Sequence, residues 1–373
     1  MFKFNQLKKI HVEISNRCQA SCPMCPRTIH SGIDNPSLKI NDWSYDDFTK
    51  IINKEVLAQI TDITFCGTFG DPMMNNDFIK MCQYLKDTSP IICVSIHTNG
   101  SARTPAWWVE LYNALPRNHF LVFALDGLAD TQALYRVGTN WDKIITNARA
   151  FIDAGGVADW MFIRFKHNEH QVAEAERLSK EYGFKRFTVK NTRRFETPKF
   201  PVLSKNGDVT HYLEQPTDQP VRFVGSRDLE TYNSWKRNTQ INCYALDQHE
   251  VYIDACYTLL PCCLLGAFIY TNYDKSILQQ YDVYHSDSVV DFGKKIQDQV
   301  LNLINNELGG FDNNNATLRS ISEIIDDPNW QSIWNKKWDT AGLTGCIALC
   351  SEDSPYITVD DQWVEGKDPY VQI

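Results

Sequence analysis

The chain has 373 residues, of which 43% are hydrophobic and 22% charged, and a formal net charge of −9. That composition suits a globular protein with apolar residues enough for one large domain or two, and its acidic balance argues against a nucleic-acid partner. No apolar run is long enough to span a membrane and Met1–Lys9 lacks the apolar core of a secretory signal, so a cytoplasmic protein is expected, whose 12 cysteines read as ligands or core residues rather than disulfides.

Lys9–Ile14 alternates apolar and polar residues and reads as a first strand. It runs into a loop with Cys18, Cys22 and Cys25 at C-x3-C-x2-C spacing. A helix is expected from Ser44, a candidate cap with Asp47 three residues on, to about Leu57. Its Phe48, Ile51, Ile52 and Val56 share one face. Ile63–Cys66 is a second strand, ending in Gly67-Thr68-Phe69-Gly70-Asp71-Pro72, and Asp77–Lys86 a second helix. Ile91–Ile96 is a third strand, ending in His97-Thr98-Asn99-Gly100, and Pro105 opens a helix to Leu115. Phe120–Leu125 is a fourth strand, ending at Asp126-Gly127. The helix Trp141–Ala154 is stopped by Gly155-Gly156. Trp160–Phe165 is a fifth strand, Glu169–Tyr182 a helix stopped by Gly183, and Arg186–Lys190 a sixth strand.

Six strands alternating with helices imply a parallel sheet with crossover helices. The expected fold is α/β: a partial, open (β/α)6 TIM-like barrel over residues 1–197, with its polar and glycine motifs at the strand ends where such folds keep their sites. Residues 198–240 show no clear period and read as a connector. Residues 241–351 read as a smaller C-terminal α+β unit, and 352–373 as a tail. In that unit Gln248–Asp254 and Thr258–Leu260 form a hairpin, Leu318–Ile325 and Trp330–Trp338 two helices, and Asp312–Asn315 a surface loop. Residues 264–318 otherwise say little.

Thiolates are soft ligands that suit iron–sulfur clusters or zinc. Three of them on one short loop leave one iron of a four-iron cluster without a protein ligand, whereas structural zinc wants four. The stretch Ser15-Asn16-Arg17-Cys18-Gln19-Ala20-Ser21-Cys22-Pro23-Met24-Cys25 resembles the cluster loop of the radical S-adenosylmethionine enzymes. The resemblance implies a [4Fe–4S] cluster on Cys18, Cys22 and Cys25 and S-adenosylmethionine on the open iron. One electron from the cluster would then release a 5'-deoxyadenosyl radical that takes a hydrogen atom from substrate. It also implies that the segment through Gly70 and Asp71 holds the cofactor's amino group, although Asp71 stands where the family carries glutamate. Asn99, Asp126, Arg164 and Asn168 fall where the family contacts the cofactor, and Arg136 where it often has an arginine. Ala124 replaces a serine of the family's pattern. A turn explains Asn99-Gly100 and Asp126-Gly127 equally well. Arg164, on an otherwise apolar strand, asks for a partner. Lys190, Arg193 and Arg194 end the sixth strand as a basic lining or a solvated face, Arg194 reading as the latter.

Cys243, a hairpin, Pro261-Cys262-Cys263 and then Cys346-x3-Cys350 resemble the Twitch extension, the shorter relative of the SPASM domain, which holds an auxiliary [4Fe–4S] cluster. The implied ligands are Cys243, Cys262, Cys346 and Cys350, with Cys263 as an alternative to Cys262 and Cys256 a weaker one. Tyr257 stands where the family's hairpin has a glycine. The same four thiolates would also suit zinc. Cys66, Cys82 and Cys93 read as core. The expected partners are a small-molecule or peptide substrate and a flavodoxin- or ferredoxin-type reductant, with no nucleic acid and no membrane. The barrel pattern starts almost at the N-terminus, which weighs against a leader-dependent peptide modifier; peptide crosslinking or epimerisation is the rival activity. A non-catalytic iron–sulfur or zinc protein is the rival from another class.

Overall fold

Strict alternation along the strands sorts their side chains onto two faces. Ile10 and Val12, Ile63 and Phe65, Val94 and Ile96, Leu121 and Phe123, and Trp160 and Phe162 all enter one buried cluster. The intervening residues, among them His11, Thr64, Ser95 and Asp159, point the other way. The computed structural model describes residues 2–192, 194–195, 199–218, 241–271, 287–337 and 343–350.

The strands are β1 Lys9–Val12, β2 Thr28–Ile29, β3 Ile33–Asp34, β4 Asp62–Phe65, β5 Cys93–Thr98, β6 His119–Ala124, β7 Ala158–Arg164, β8 Arg186–Asn191, β9 Lys199–Leu203, β10 Val209–Glu214, β11 Glu250–Ile253 and β12 Leu259–Leu260. Eight of them form one sheet in the order β12-β11-β1-β4-β5-β6-β7-β8. All its pairings are parallel except the hairpin β11–β12. The six strands read from sequence are therefore consecutive neighbours, and the sheet stays open between β8 and β12. The helices α1 Tyr45–Ile51, α2 Lys54–Gln59, α3 Phe78–Thr88, α4 Pro105–Ala114, α5 Gln132–Tyr135, α6 Trp141–Asp153 and α7 Val172–Glu181 follow the strands. Phe48, Phe78, Trp108, Ile144 and Phe151 from these helices fill the same cluster as the strands' apolar face. Burying each such side chain contributes roughly 1.5–3 kcal/mol. Trp108 and Trp160 also seat their indole N–H groups on the carbonyls of Ala102 (3.2 Å) and Leu125 (2.8 Å).

Four departures from the sequence reading have physical causes. The helix from Ser44 has the expected capping box with Asp47 but breaks at Ile52, because the Asn53 side chain accepts the Val56 N–H (3.1 Å) and starts a new helix. The third strand lies two residues later than expected, leaving Ile91 exposed. Residues 199–214, inside the expected connector, are the antiparallel hairpin β9–β10. Pro201 masks it in sequence, yet a two-stranded ribbon has only edges, where a missing N–H is tolerated. Asn314, in the expected surface loop, is fully buried and accepts the Trp330 indole N–H (2.6 Å). The sequence hairpin at 248–260 forms as β11–β12 and adds to the β1 edge, Lys9↔Glu250 to Val12↔Ile253. One buried cluster runs from Phe2 to Cys346. Arg193, residues 219–240 of the connector and the tail lie outside the described residues.

Candidate metal and cofactor site

The end of β1 delivers the cysteine loop. Cys25 N–H donates to the Cys22 carbonyl (3.0 Å) and Thr28 N–H to that of Cys25 (3.1 Å). These turns bring the three thiols together: Cys18 is an electrostatic neighbour of Cys22 and Cys25, and Cys22 of Cys25. Asn99 Nδ2 lies 3.6 Å from Cys18 Sγ and Arg136 Nη1 3.7 Å from Cys22 Sγ. Burial pushes the Cys18 and Cys22 thiols up, opposed at Cys22 by the Arg136 guanidinium. A metal centre bound here would displace their protons. A second apolar cluster, including Met24, Tyr135, Phe165, Phe200 and Leu213, encloses the loop. Its hairpin residues come from β9–β10, and Leu203 N–H donates to the His30 carbonyl (2.8 Å) beside the loop.

The polar residues at the next strand ends are tightly engaged. Gly70 has no room for a side chain: a Cβ there would stand 2.0 Å from the Ser15 carbonyl oxygen. Its smallness thus serves the packing of the 67–71 loop on the cysteine loop. Asp71 is buried and accepts from Thr98 Oγ1 (3.0 Å), Asn99 N–H (2.9 Å), Asn99 Nδ2 (2.6 Å) and Met73 N–H (3.0 Å). Burial pushes its carboxyl up while the amides of Asn99 and Met73 pull it down. Asp71 thereby aims Asn99, whose Oδ1 also accepts from Gln19 Nε2. Asp126 is fully buried, pairs with Arg136 Nε (2.5 Å) and accepts the Ile163 N–H (2.6 Å). Burial works against the Arg136 charge, but Asp126 and Cys22 beside it outweigh that and hold it well above the usual range.

Arg164 and Asn168 bond to groups other than the thiols. Arg164 bonds Asn191 Oδ1 (3.1 Å) and pairs with the exposed Asp218 (2.9 Å). Asn168 is fully buried and donates to the carbonyls of Asp126 and Ile163 (both 2.9 Å) while accepting the Phe165 N–H (2.7 Å). Arg194, read as solvated, is exposed and rests Nη1 on the Met24 carbonyl (3.0 Å) of the cysteine loop. Sequence reasoning passed over Glu13, which is buried and tied to the 67–71 loop. The signal was present: a carboxylate among Ile10, Val12 and Ile14 is costly to bury without partners.

Cys243, Cys262, Cys346 and Cys350 are all buried, and every pair among them is an electrostatic neighbour. Cys346 and Cys350 stand one turn apart in the helix Thr344–Cys350. The Cys350 carbonyl accepts the N–H of Asn242 (2.6 Å), next to Cys243. The backbone amides of Leu264 and Leu265, in the first turn of the helix that follows, oppose the upward push of burial on the Cys262 thiol. Cys263 turns toward Tyr244 Oη (3.4 Å), Glu250 and Cys66, and Cys256 lies by Asp254, Tyr270 and the Lys39 carbonyl. Tyr257 adopts the left-handed conformation (φ 69°) that the hairpin glycine would supply. Its ring stacks on Trp43 (5.3 Å) and its hydroxyl donates to Asp47 (2.9 Å), which offsets the strain. Among the described residues no three His, Cys, Asp or Glu side chains converge on a site for one metal ion.

No family model matches the chain and no curated protein matches its sequence. Solved structures do match. SuiB of Streptococcus suis bound to S-adenosylmethionine has 15% identity and a TM-score of 0.49, over 76% of this chain and 66% of that one. The chain therefore spans just under two thirds of SuiB. The anSMEcpe protein with bound AdoMet has 13% identity and a TM-score of 0.49, over 87% of this chain and 79% of that one. BtrN in complex with AdoMet and 2-DOIA has 12% identity and a TM-score of 0.34, over 77% of this chain and 86% of that one. The chain is similar in structure to proteins solved with S-adenosylmethionine. Among the described residues, no helix is long and apolar enough to cross a membrane.

Proposed function

We propose that this chain is a radical S-adenosylmethionine enzyme with two [4Fe–4S] clusters. One observation carries the reading: Cys18, Cys22 and Cys25 are electrostatic neighbours beside the 67–71 loop, while the nearby carboxylates of Asp71 and Asp126 are spent on other partners. The donor set fits a cluster with one position free of protein ligands. When bound, the cluster and cofactor supply one-electron cleavage of a sulfonium and hydrogen abstraction from substrate.

The chain's own residues hold and shield that chemistry. Asn99 and Arg136 direct N–H groups at the Cys18 and Cys22 sulfurs, a contact that orients metal ligands and tunes a cluster. Asp71 and Asp126 act through Asn99 and Arg136, and Asn168 fixes the strand ends behind them. Gly70 seats the cofactor loop against the cysteine loop. Arg164 would reach a cofactor only by giving up Asp218. The apolar shell of β7, β9 and β10 packs against the cysteine loop and covers one side of it.

Cys243, Cys262, Cys346 and Cys350 would hold the auxiliary cluster, fully ligated and used for electron transfer in an oxidation or bond formation. The proposed substrate is a small molecule or a peptide, and the proposed electron donor a flavodoxin- or ferredoxin-type protein. Metal analysis after anaerobic reconstitution tests the assignment. Two cubane clusters predict about eight iron per chain, about four in the Cys18/Cys22/Cys25→Ala variant and about four in Cys262→Ala, with Cys263→Ala unchanged. Zinc at the second set would remove the auxiliary cluster. A loss in Cys263→Ala instead of Cys262→Ala would reassign the ligand.

A further inference from the structure

The loop proposed to hold the cofactor has two glycines, and something must fix its backbone. The fixing group is buried Glu13. Its Oε1 accepts two successive amides, Phe69 N–H (2.7 Å) and Gly70 N–H (2.8 Å). Its Oε2 accepts the hydroxyl of Tyr252 (2.7 Å). The Thr68 side chain lies beside the Tyr252 oxygen. Three consecutive loop residues, Thr68, Phe69 and Gly70, therefore meet one carboxylate–phenol pair.

The consequence for the loop follows from peptide planarity. In a trans peptide the C=O points opposite to the N–H it is bonded to. With the N–H groups of Phe69 and Gly70 turned onto Glu13, the carbonyls of Thr68 and Phe69 are turned away from it. Neither accepts a hydrogen bond from the described residues. A loop held this way offers two outward acceptors to an ammonium group.

Tyr252 comes from far along the chain. It lies on β11, the strand between β1 and β12, where it is in register with His11. The Glu13 N–H donates to the Ile253 carbonyl (2.9 Å), so the two partners are also joined through the backbone.

We infer that Glu13 and Tyr252 are positioning residues for S-adenosylmethionine: together they set the peptide orientations of the 67–71 loop, so that cofactor affinity depends on a strand of the C-terminal hairpin. The inference rests on the proposed function. Neither residue touches the reacting atoms, so their loss changes cofactor binding rather than cluster content.

The test measures iron content, S-adenosylmethionine binding by equilibrium dialysis, and KM and kcat for its reductive cleavage, in reconstituted protein. Glu13→Ala is expected to raise the Kd and KM for S-adenosylmethionine by about tenfold, the loss of two to three hydrogen bonds, with wild-type iron and little change in kcat. Glu13→Gln is expected to restore near-wild-type affinity, because its carbonyl oxygen still accepts both amides. Tyr252→Phe, which removes only a hydroxyl, is expected to raise both constants by about threefold. Wild-type Kd in Glu13→Ala, or in Tyr252→Phe should Glu13→Ala not fold, overturns the inference and leaves the proposed function standing. A fully loaded wild type that neither binds nor cleaves S-adenosylmethionine overturns both.

Discussion

The two cysteine groups are built in opposite ways. Cys18, Cys22 and Cys25 sit among charged and amide side chains, Asn99, Arg136, Asp71 and Asp126, and two of the three thiols are only half-buried. Cys243, Cys262, Cys346 and Cys350 are all buried, and backbone amides rather than charged side chains lie beside Cys262. Polar side chains around the first group can exchange partners with a ligand. The second group brings four buried thiols together. The contrast suits a reactive centre that takes a cofactor and a sealed centre that passes electrons, which is how the chain divides the work in the proposed reading.

The buried pair behind the first group offers the sharpest way to break that contrast. Asp126→Ala strands the Arg136 guanidinium without its carboxylate, and breaking such a pair costs about 3–5 kcal/mol. Denaturant unfolding should show that loss, with iron at the second group retained. Loss of iron from both groups alike would mean that they are not independent. A smaller effect is expected from Asn99→Ala, which removes a side-chain donor from the buried Asp71 carboxylate and costs about 1.5–3 kcal/mol. The same variant should shift the midpoint potential of the first cluster and leave the second unmoved.

The remaining effect is a slope with pH, not a fixed loss. Burial raises the Glu13 carboxyl from 4.5 to about 7, against the pull of Tyr252 and the Phe69 and Gly70 amides. Its stabilising contribution is complete below pH 4.5 and is lost as pH rises through 7. The stability of Glu13→Gln relative to wild type should therefore improve steadily across that interval. A difference independent of pH would show that Glu13 titrates normally in the fold.

Much of this arrangement was legible in the sequence where side-chain period and local chemistry agree. The alternating strands from Lys9 to Lys190 could only pair one way once helices separated them, and the polar motifs necessarily fell at the strand ends. Cys262 and Cys263 could not be told apart, because adjacent residues differ only in direction: the fold sends one to Cys346 and Cys350 and the other to Tyr244. The hairpin β9–β10 was hidden by Pro201 and polar residues, although Asn206-Gly207 between its strands is a strong turn signal. Asp71 and Asn168 read as cofactor contacts from the places they hold in the resemblance. Their partners Asn99 and the Asp126 carbonyl come from the ends of other strands and are invisible before folding. Glu13 was missed for the same reason, since Tyr252 is 239 residues away.

The most direct test of the central claim is the yield of 5'-deoxyadenosine from S-adenosylmethionine under dithionite, compared between reconstituted wild type and Cys18/Cys22/Cys25→Ala. The account predicts 5'-deoxyadenosine from the wild type and none from the variant, which should still carry the iron of the second group. Equal yields from the two proteins, or none from a fully loaded wild type supplied with peptide and small-molecule substrates, would contradict it.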